Sequence, residues 1–226
     1  MHVVDRIVRV VTANLLNGGA AIGSLRRMLE REQPDLGVFQ ELAPAQARIV
    51  RRYFGYGTLD PRRDFHGMGI AARHPIDVAR FPMAHRDGWK GHLYGPDWPQ
   101  LDRDLEILNV HIQNPLMRPW RETSQNRKGQ VNDILDYVAA KRMARVVLGD
   151  MNSSPMWRSY RRLAAQLQDA PVAAGTARRT WAPLPRMPRL LRIDHAFVEG
   201  VVPVSTHTAR VKGSDHSALV VDLLIE

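Results

Sequence analysis

Apolar residues fall into short runs along the chain, most of them rich in β-branched side chains. This pattern predicts strands at residues 7–12, 36–39, 69–73, 76–81, 105–111, 145–148, 191–198, 201–208 and 217–225. Four segments carry the helical period instead. They are 20–31 (Ile22, Leu25, Leu29), 44–53, about 122–141 (Val131, Ile134, Leu135, Val138), and one capped by Ser154 with Pro155 in its first turn, running to about 167. Pro34 ends the first of these. Residues 83–99 and 175–189 hold turn formers without a period and read as long surface loops, which in compact domains are often functional. With strands outnumbering helices and no repeat or linker, one mixed α/β layered domain over residues 1–226 is expected.

Composition narrows the classes. A chain of 226 residues, 44% hydrophobic, is long enough to bury a core. It has no cysteine, which excludes disulfides, zinc ribbons and thiol chemistry. No run approaches a membrane span. Residues 1–11 alternate charged and apolar positions and lack a signal-peptide core, so a cytoplasmic location is favoured over secretion of a trimmed form. The net charge is +9, and 28 of the 32 basic residues are arginine. A guanidinium binds phosphate bidentately; a genome biased towards arginine codons would give the same excess.

Polar residues recur just after apolar strands. Asn14 follows 7–12, Gln40 and Glu41 follow 36–39, and His111 ends 105–111, with Asn114 three residues on. Asp150 and Asn152 follow 145–148, Asp194 lies in 191–198, and Asp215 and His216 precede the last strand. Strand ends are where a rigid scaffold presents groups from distant parts of a sequence. Singly, each reads as a cap or turn residue. Jointly, they suggest a site.

The ordered set Thr12-Ala13-Asn14, Gln40-Glu41, Asn109-Val110-His111, Gly149-Asp150-Met151-Asn152, Arg192-Ile193-Asp194-His195 and Ser214-Asp215-His216 resembles the endonuclease/exonuclease/phosphatase superfamily. That group holds deoxyribonuclease I, the exonuclease III type repair endonucleases, neutral sphingomyelinases and inositol polyphosphate 5-phosphatases. The stretch from Gly67 to Ile76 also resembles the family's "SR-x-P-[IL]" region, with Ala72 where Ser is common. The resemblance implies a four-layer α-β-β-α sandwich, two mainly antiparallel sheets flanked by helices, with the termini in neighbouring central strands.

It also implies phosphodiester hydrolysis. An anionic diester repels hydroxide, and a hard divalent cation held by oxygen ligands removes that obstacle. Glu41 is the first choice of ligand, with Asn14 and Asp215 beside it, for Mg²⁺ or alternatively Mn²⁺ or Ca²⁺. By the same resemblance Asp194 orients His216 as base, Asp150 orients or deprotonates the water, and Asn152 donates to a phosphate oxygen. His111 resembles the second histidine of the deoxyribonuclease and sphingomyelinase branches, a proton donor or phosphate ligand. There a Glu commonly accompanies it, and residues 67–73 contain none.

Basic residues at 62, 63, 90, 118, 121, 178, 179, 186 and 189 form an expected rim for a nucleic-acid backbone, with Asn114, Arg118 and Arg179 as substrate contacts. Trp89, Tyr94, Trp98 and Trp120 are candidates for base stacking, for insertion at a membrane interface beside anionic lipid, or for plain loop packing. The expected enzyme is a monomeric nuclease. The alternatives are a phospholipid or phosphoinositide phosphodiesterase and a non-catalytic anion binder. The absence of GNH and of GxxxxGK[ST] disfavours calcineurin-type and P-loop enzymes.

Overall fold

A computed structural model describes residues 6–225. The sequence reading of residues 1–5 lies outside them. The elements run β1 (Ile7–Asn14), α1 (Ile22–Glu32), β2 (Leu36–Gln40), α2 (Pro44–Tyr53), β3 (Tyr56–Asp60), β4 (Met68–Ala72), β5 (Asp77–Phe81), β6 (Gly88–Leu93), β7 (Leu105–His111), α3 (Trp120–Ala140), β8 (Arg145–Asp150), α4 (Arg158–Ala164), β9 (Gln168–Asp169), α5 (Ala170–Ala173), β10 (Asp194–Glu199), β11 (Val202–Arg210) and β12 (Ser217–Leu224).

Two six-stranded sheets result, ordered β11-β12-β1-β2-β4-β3 and β5-β6-β7-β8-β10-β9. Each contains one parallel pair, β1 with β2 and β7 with β8, and its other pairings are antiparallel. A parallel pair needs a crossover, and α1 and α3 supply the two.

Three apolar clusters make the layers. Val10, Val38, Ile70 and Val221 of the first sheet meet Trp89, Ile107, Val146 and Leu148 of the second. Leu25, Leu29, Ala47 and Val50 of α1 and α2 cover the first sheet with Phe39 and Val220. Val131, Ile134 and Leu163 of α3 and α4 cover the second with Leu108, Val147 and Phe197. The four-layer α/β sandwich is therefore present, and β1 lies beside β12.

Four readings of the sequence are corrected. Residues 83–99 are not all loop: β6 lies inside them, and Trp89 and Trp98 pack in the inter-sheet core. Strand β3 was missed, because an edge strand of mostly exposed residues shows no alternation. Residues 175–189 are not wholly free either, since Trp181 forms bridges to Leu191 and His216. The helix expected from Pro155 starts at Arg158, because residues 154–157 close a turn through Trp157 N–H and the Ser154 carbonyl at 2.9 Å.

Candidate active site

Both parallel pairs end at the same edge of the sandwich. Asn14 is the last residue of β1 and lies in register with Gln40, the last of β2. His111 ends β7 in register with Asp150, the last of β8, and Asp150 is in turn opposite Asp194, the first of β10. His216 directly precedes β12. The sheets are locked together just beneath. Gln40 Nε2 donates to Asn109 Oδ1 at 2.7 Å, and Asn109 Nδ2 donates to the carbonyls of Phe39 and Gly69 at 3.1 and 2.9 Å.

Two non-glycine residues here have left-handed backbone, Glu41 (φ 52°) and Asn152 (φ 45°). Such strain collects at functional sites. It turns each chain sharply as it leaves its strand. Gly149 (φ +140°) is required before Asp150, because a Cβ there would lie 2.0 Å from the Val110 carbonyl oxygen.

Asp150 is the hub. Its Oδ2 accepts from Asn14 Nδ2 at 3.1 Å and Asn152 Nδ2 at 3.2 Å, and its Oδ1 accepts from Asn152 N–H at 2.8 Å. His111 Nε2 and His216 Nε2 stand 3.5 and 3.8 Å from Oδ2. Burial, with Asp194 and Glu41 nearby, outweighs the His216 charge and raises this carboxyl to about 7.

His216 Nδ1–H donates to Asp194 Oδ2 at 2.9 Å and Oδ1 at 3.1 Å. Burial disfavours the imidazolium, but Asp194, Asp150 and Asp215 overcome it and raise the ring to about 10. Before any cation binds, the ring is therefore charged at neutral pH. Asp194 is fixed in turn by Thr180, whose Oγ1 accepts its backbone N–H at 3.2 Å.

His111 is the converse case. Burial and the charges of Arg86 and His216 hold it well below an ordinary histidine. Arg86 Nη1 donates to His111 Nδ1 at 3.1 Å, so the neutral ring carries its proton on Nε2, facing Asp150 and Glu41. An arginine occupies the place where the resemblance led one to expect a glutamate.

The donor set suits a hard cation. Glu41 Oε2 and Asp215 Oδ1 are buried oxygens without a hydrogen-bond partner, an arrangement that costs free energy unless something positive meets them. Burial raises the Glu41 carboxyl, and Asp215 adds to that. Glu41, His111 and Asp150 offer ligand atoms within 4.8 Å of one another, as do Asp150, Asp194 and His216. Asp215 is oriented by Trp181, whose Nε1–H donates to Oδ2 at 2.9 Å.

Two expected roles change. Asn14 Oδ1 accepts Leu16 N–H at 3.0 Å while its Nδ2 bridges Glu41 (3.0 Å) and Asp150. In this arrangement it clamps two carboxylates and does not present its oxygen as a ligand. Asn152 spends its amide hydrogens on Asp150 and the Ile112 carbonyl (2.9 Å), leaving none for a phosphate.

Thus Asn14, Glu41, His111, Asp150, Asn152, Asp194, Asp215 and His216 converge. The expected substrate contacts are exposed. Asn114 is exposed, with Oδ1 accepting Leu116 N–H at 2.9 Å. Arg118 is exposed over the Trp120 ring, and Arg179 is exposed next to Thr180. Of the rim, Lys90 lies in β6, and Arg189 bonds the Ser214 and His216 carbonyls from below at 3.0 and 2.8 Å. Arg86, Thr180 and Trp181 carry no motif that marks them in the sequence. The unaccompanied His111 was the one signal that pointed towards a hidden partner.

The profile of the Endonuclease/Exonuclease/phosphatase family matches residues 11–216. No curated protein matches the sequence significantly. Among solved structures, a functionally unknown conserved protein from Enterococcus faecalis is similar at 18% identity and TM-score 0.75, covering 97% of this chain and 100% of that one. A family protein from Bacteroides thetaiotaomicron is similar at 16% and 0.75, covering 97% and 98%. TDP2 of D. rerio, complexed with a single-strand DNA product, is similar at 16% and 0.73, covering 97% and 99%.

Proposed function

The chain belongs to the endonuclease/exonuclease/phosphatase family, and on that premise we propose that it is a divalent-metal-dependent phosphodiester hydrolase acting on nucleic acid. The observation that carries this reading is Asp150 Oδ2, on which Asn14, Asn152, His111 and His216 converge beside the partnerless oxygens of Glu41 and Asp215. Glu41 and Asp215 would hold Mg²⁺, with Mn²⁺ or Ca²⁺ as substitutes. The ion, when bound, supplies positive charge to the phosphate oxygens.

The residues divide the remaining work. Asp150 accepts a proton at Oδ2 from the attacking water as the water oxygen bonds phosphorus and the bond from phosphorus to the leaving oxygen breaks, and the leaving oxygen takes its proton from solvent. His216, kept charged by Asp194, donates Nε2–H to a phosphate oxygen, and His111 donates its own Nε2–H beside it. Asn14 and Asn152 position Asp150. This assigns the base to Asp150 and electrostatic stabilisation to His216. Nucleic acid as substrate is supported by the +9 charge and by the DNA held in the TDP2 complex.

A second reading rests on one surface feature. Leu116 (79% exposed) and Met156 (83%) sit on loops that leave the catalytic edge, and Trp120 (64%) opens α3, with Arg118 and Arg121 beside Leu116 and Trp120. Exposed apolar and cationic residues together also suit an anionic lipid surface.

The test is hydrolysis of single- and double-stranded DNA, RNA, sphingomyelin and bis-p-nitrophenyl phosphate with Mg²⁺ or Mn²⁺. The expected outcome is turnover of the nucleic acids and the small diester, abolished by Asp150→Asn. Sphingomyelin as the preferred substrate would reverse the order of the two readings, and no metal-dependent hydrolysis of any of them would reject both.

A further inference from the structure

A cavity of about 1220 Å³ opens between α1 and the 183–190 loop, and its lining reaches Gly213, two residues before Asp215. Its lining carries Arg27, Arg31, Arg186, Arg210 and Lys212 against a single carboxylate, Glu30. Arg31 is paired with Glu32 at 2.6 Å, and Glu30 lies 3.7 Å from Arg26. Arg210 donates to the Pro185 and Met187 carbonyls, neutral acceptors that leave its charge uncompensated. Arg27, Arg186 and Lys212 have no carboxylate partner among the described residues. These positive charges line one cavity from several segments, so a polyanion bound there is attracted to all of them.

The groove is fastened to the site. Gly213 lines it, and Ser214, Asp215 and His216 follow directly. Lys212 N–H donates to Ser24 Oγ at 2.9 Å, and Ala21 N–H to the Lys212 carbonyl at 2.8 Å, which pins the first turn of α1 to the floor. At Gly213 (φ +91°) a Cβ would lie 2.1 Å from the Gly19 carbonyl oxygen, so the two segments are in backbone contact. The volume exceeds what one phosphate needs.

We propose that this groove carries the phosphodiester backbone of a nucleic-acid strand beyond the scissile phosphate, which makes the substrate a polymer several nucleotides long. The inference rests on the phosphodiesterase reading above and names its substrate class.

The test compares the unaltered protein with the double variant Arg27→Ala, Arg186→Ala, both positions outside the catalytic machinery. Activity with Mn²⁺ is measured on bis-p-nitrophenyl phosphate and on single-stranded oligonucleotides of four and sixteen nucleotides. Turnover of the small diester should be unchanged, which also shows that the variant folds. KM for the 16-mer should rise about tenfold and that for the 4-mer much less. The salt dependence of 16-mer binding should weaken by about 0.7 in log–log slope for each phosphate that the variant no longer neutralises. Equal KM for both proteins on the 16-mer overturns the proposal while leaving hydrolysis intact. If neither protein hydrolyses the small diester or either oligonucleotide, the phosphodiesterase reading fails, and anisotropy with a labelled 16-mer decides the groove separately: unchanged affinity rejects it. Weaker binding to phosphatidylserine vesicles with unchanged oligonucleotide binding also rejects it, in favour of a membrane surface.

Discussion

At His216 burial and three carboxylates pull one imidazole in opposite directions, and the carboxylates win. If its imidazolium and the Asp150 carboxylate are both needed, the rate on bis-p-nitrophenyl phosphate rises with pH as Asp150 ionises and falls as His216 loses its proton. The limbs lie near the values set by burial and neighbouring charge, about 7 and about 10, each lowered when a cation sits beside Glu41. His216→Gln should cost roughly 10²–10³ in kcat, the scale of losing one charge-stabilising donor, and remove the alkaline limb only. Loss of the acid limb instead would make His216 the base. Asp194→Asn removes the charge that raises the ring, so the alkaline limb should move to lower pH. Arg86→Ala should lower kcat about tenfold or more by freeing His111 to place its proton on Nδ1, with Arg86→Lys only partly restoring it, since an ammonium lacks the fork. Unchanged kcat in Arg86→Ala would show that the tautomer is set without it. The tautomer of His111 was not legible in the sequence, because it depends on Arg86, far away along the chain, whereas the carboxylate that charges His216 was legible through the resemblance that pairs it with Asp194.

Among elements, legibility followed burial on two faces. β1, β7 and β8 are apolar runs because the sandwich covers both their sides, and the sequence marks them plainly. β6 escaped notice since its inward positions are Trp89, Gly91 and Leu93, and Gly91 stays small to admit Ile76, whose Cδ1 would lie 2.7 Å from an added Cβ. Short elements also depend on polar ties that no periodicity reveals. Asp169 caps α5 by accepting Val172 N–H at 3.1 Å, receives the Tyr160 hydroxyl at 2.7 Å, and pairs with Arg192 at 2.7 Å. It thereby joins α4, β9 and α5 to the segment that enters β10. Burial alone would raise its carboxyl, but His195, the Arg192 charge and the Tyr160 hydroxyl bring it down to about 2. A depressed carboxyl stabilises the fold above its unfolded value near 3.8, and that contribution is lost as pH falls from there towards 2. Asp169→Asn should cost about 3–5 kcal/mol in urea unfolding at neutral pH, because Arg192 is left buried without its partner. The variant should also lose less stability than the wild type between pH 4 and 2. Parallel acid-unfolding curves for the two proteins would contradict this.

For the molecule as a whole, the decisive fact is that neither sheet owns the site. Asn14, Glu41, Asp215 and His216 come from the first sheet and its connections, and His111, Asp150, Asn152 and Asp194 from the second. The ordered motifs in the sequence foretold that these residues meet. Four carboxylates meet there, and beyond the effect of burial Asp215 raises the Glu41 carboxyl while Asp194 and Glu41 raise that of Asp150, a mutual repulsion across the seam. A divalent cation between Glu41 and Asp215 would relieve it, and such an ion binds the folded state alone, since the unfolded chain has no preformed set of ligands. At about 100 times its Kd the ion should add about 2.7 kcal/mol. For a domain of this size that corresponds to a rise in Tm of roughly 5–10 °C. Thermal unfolding monitored by circular dichroism, with and without Mg²⁺ or Mn²⁺, should show this rise. Glu41→Gln should abolish most of it while raising the metal-free Tm or leaving it unchanged, because one of the repelling charges is gone. An equal cation shift in Glu41→Gln would place the ion elsewhere, and a large fall in its metal-free Tm would mean that Glu41 supports the fold through its own hydrogen bonds and that the carboxylates are not in net repulsion.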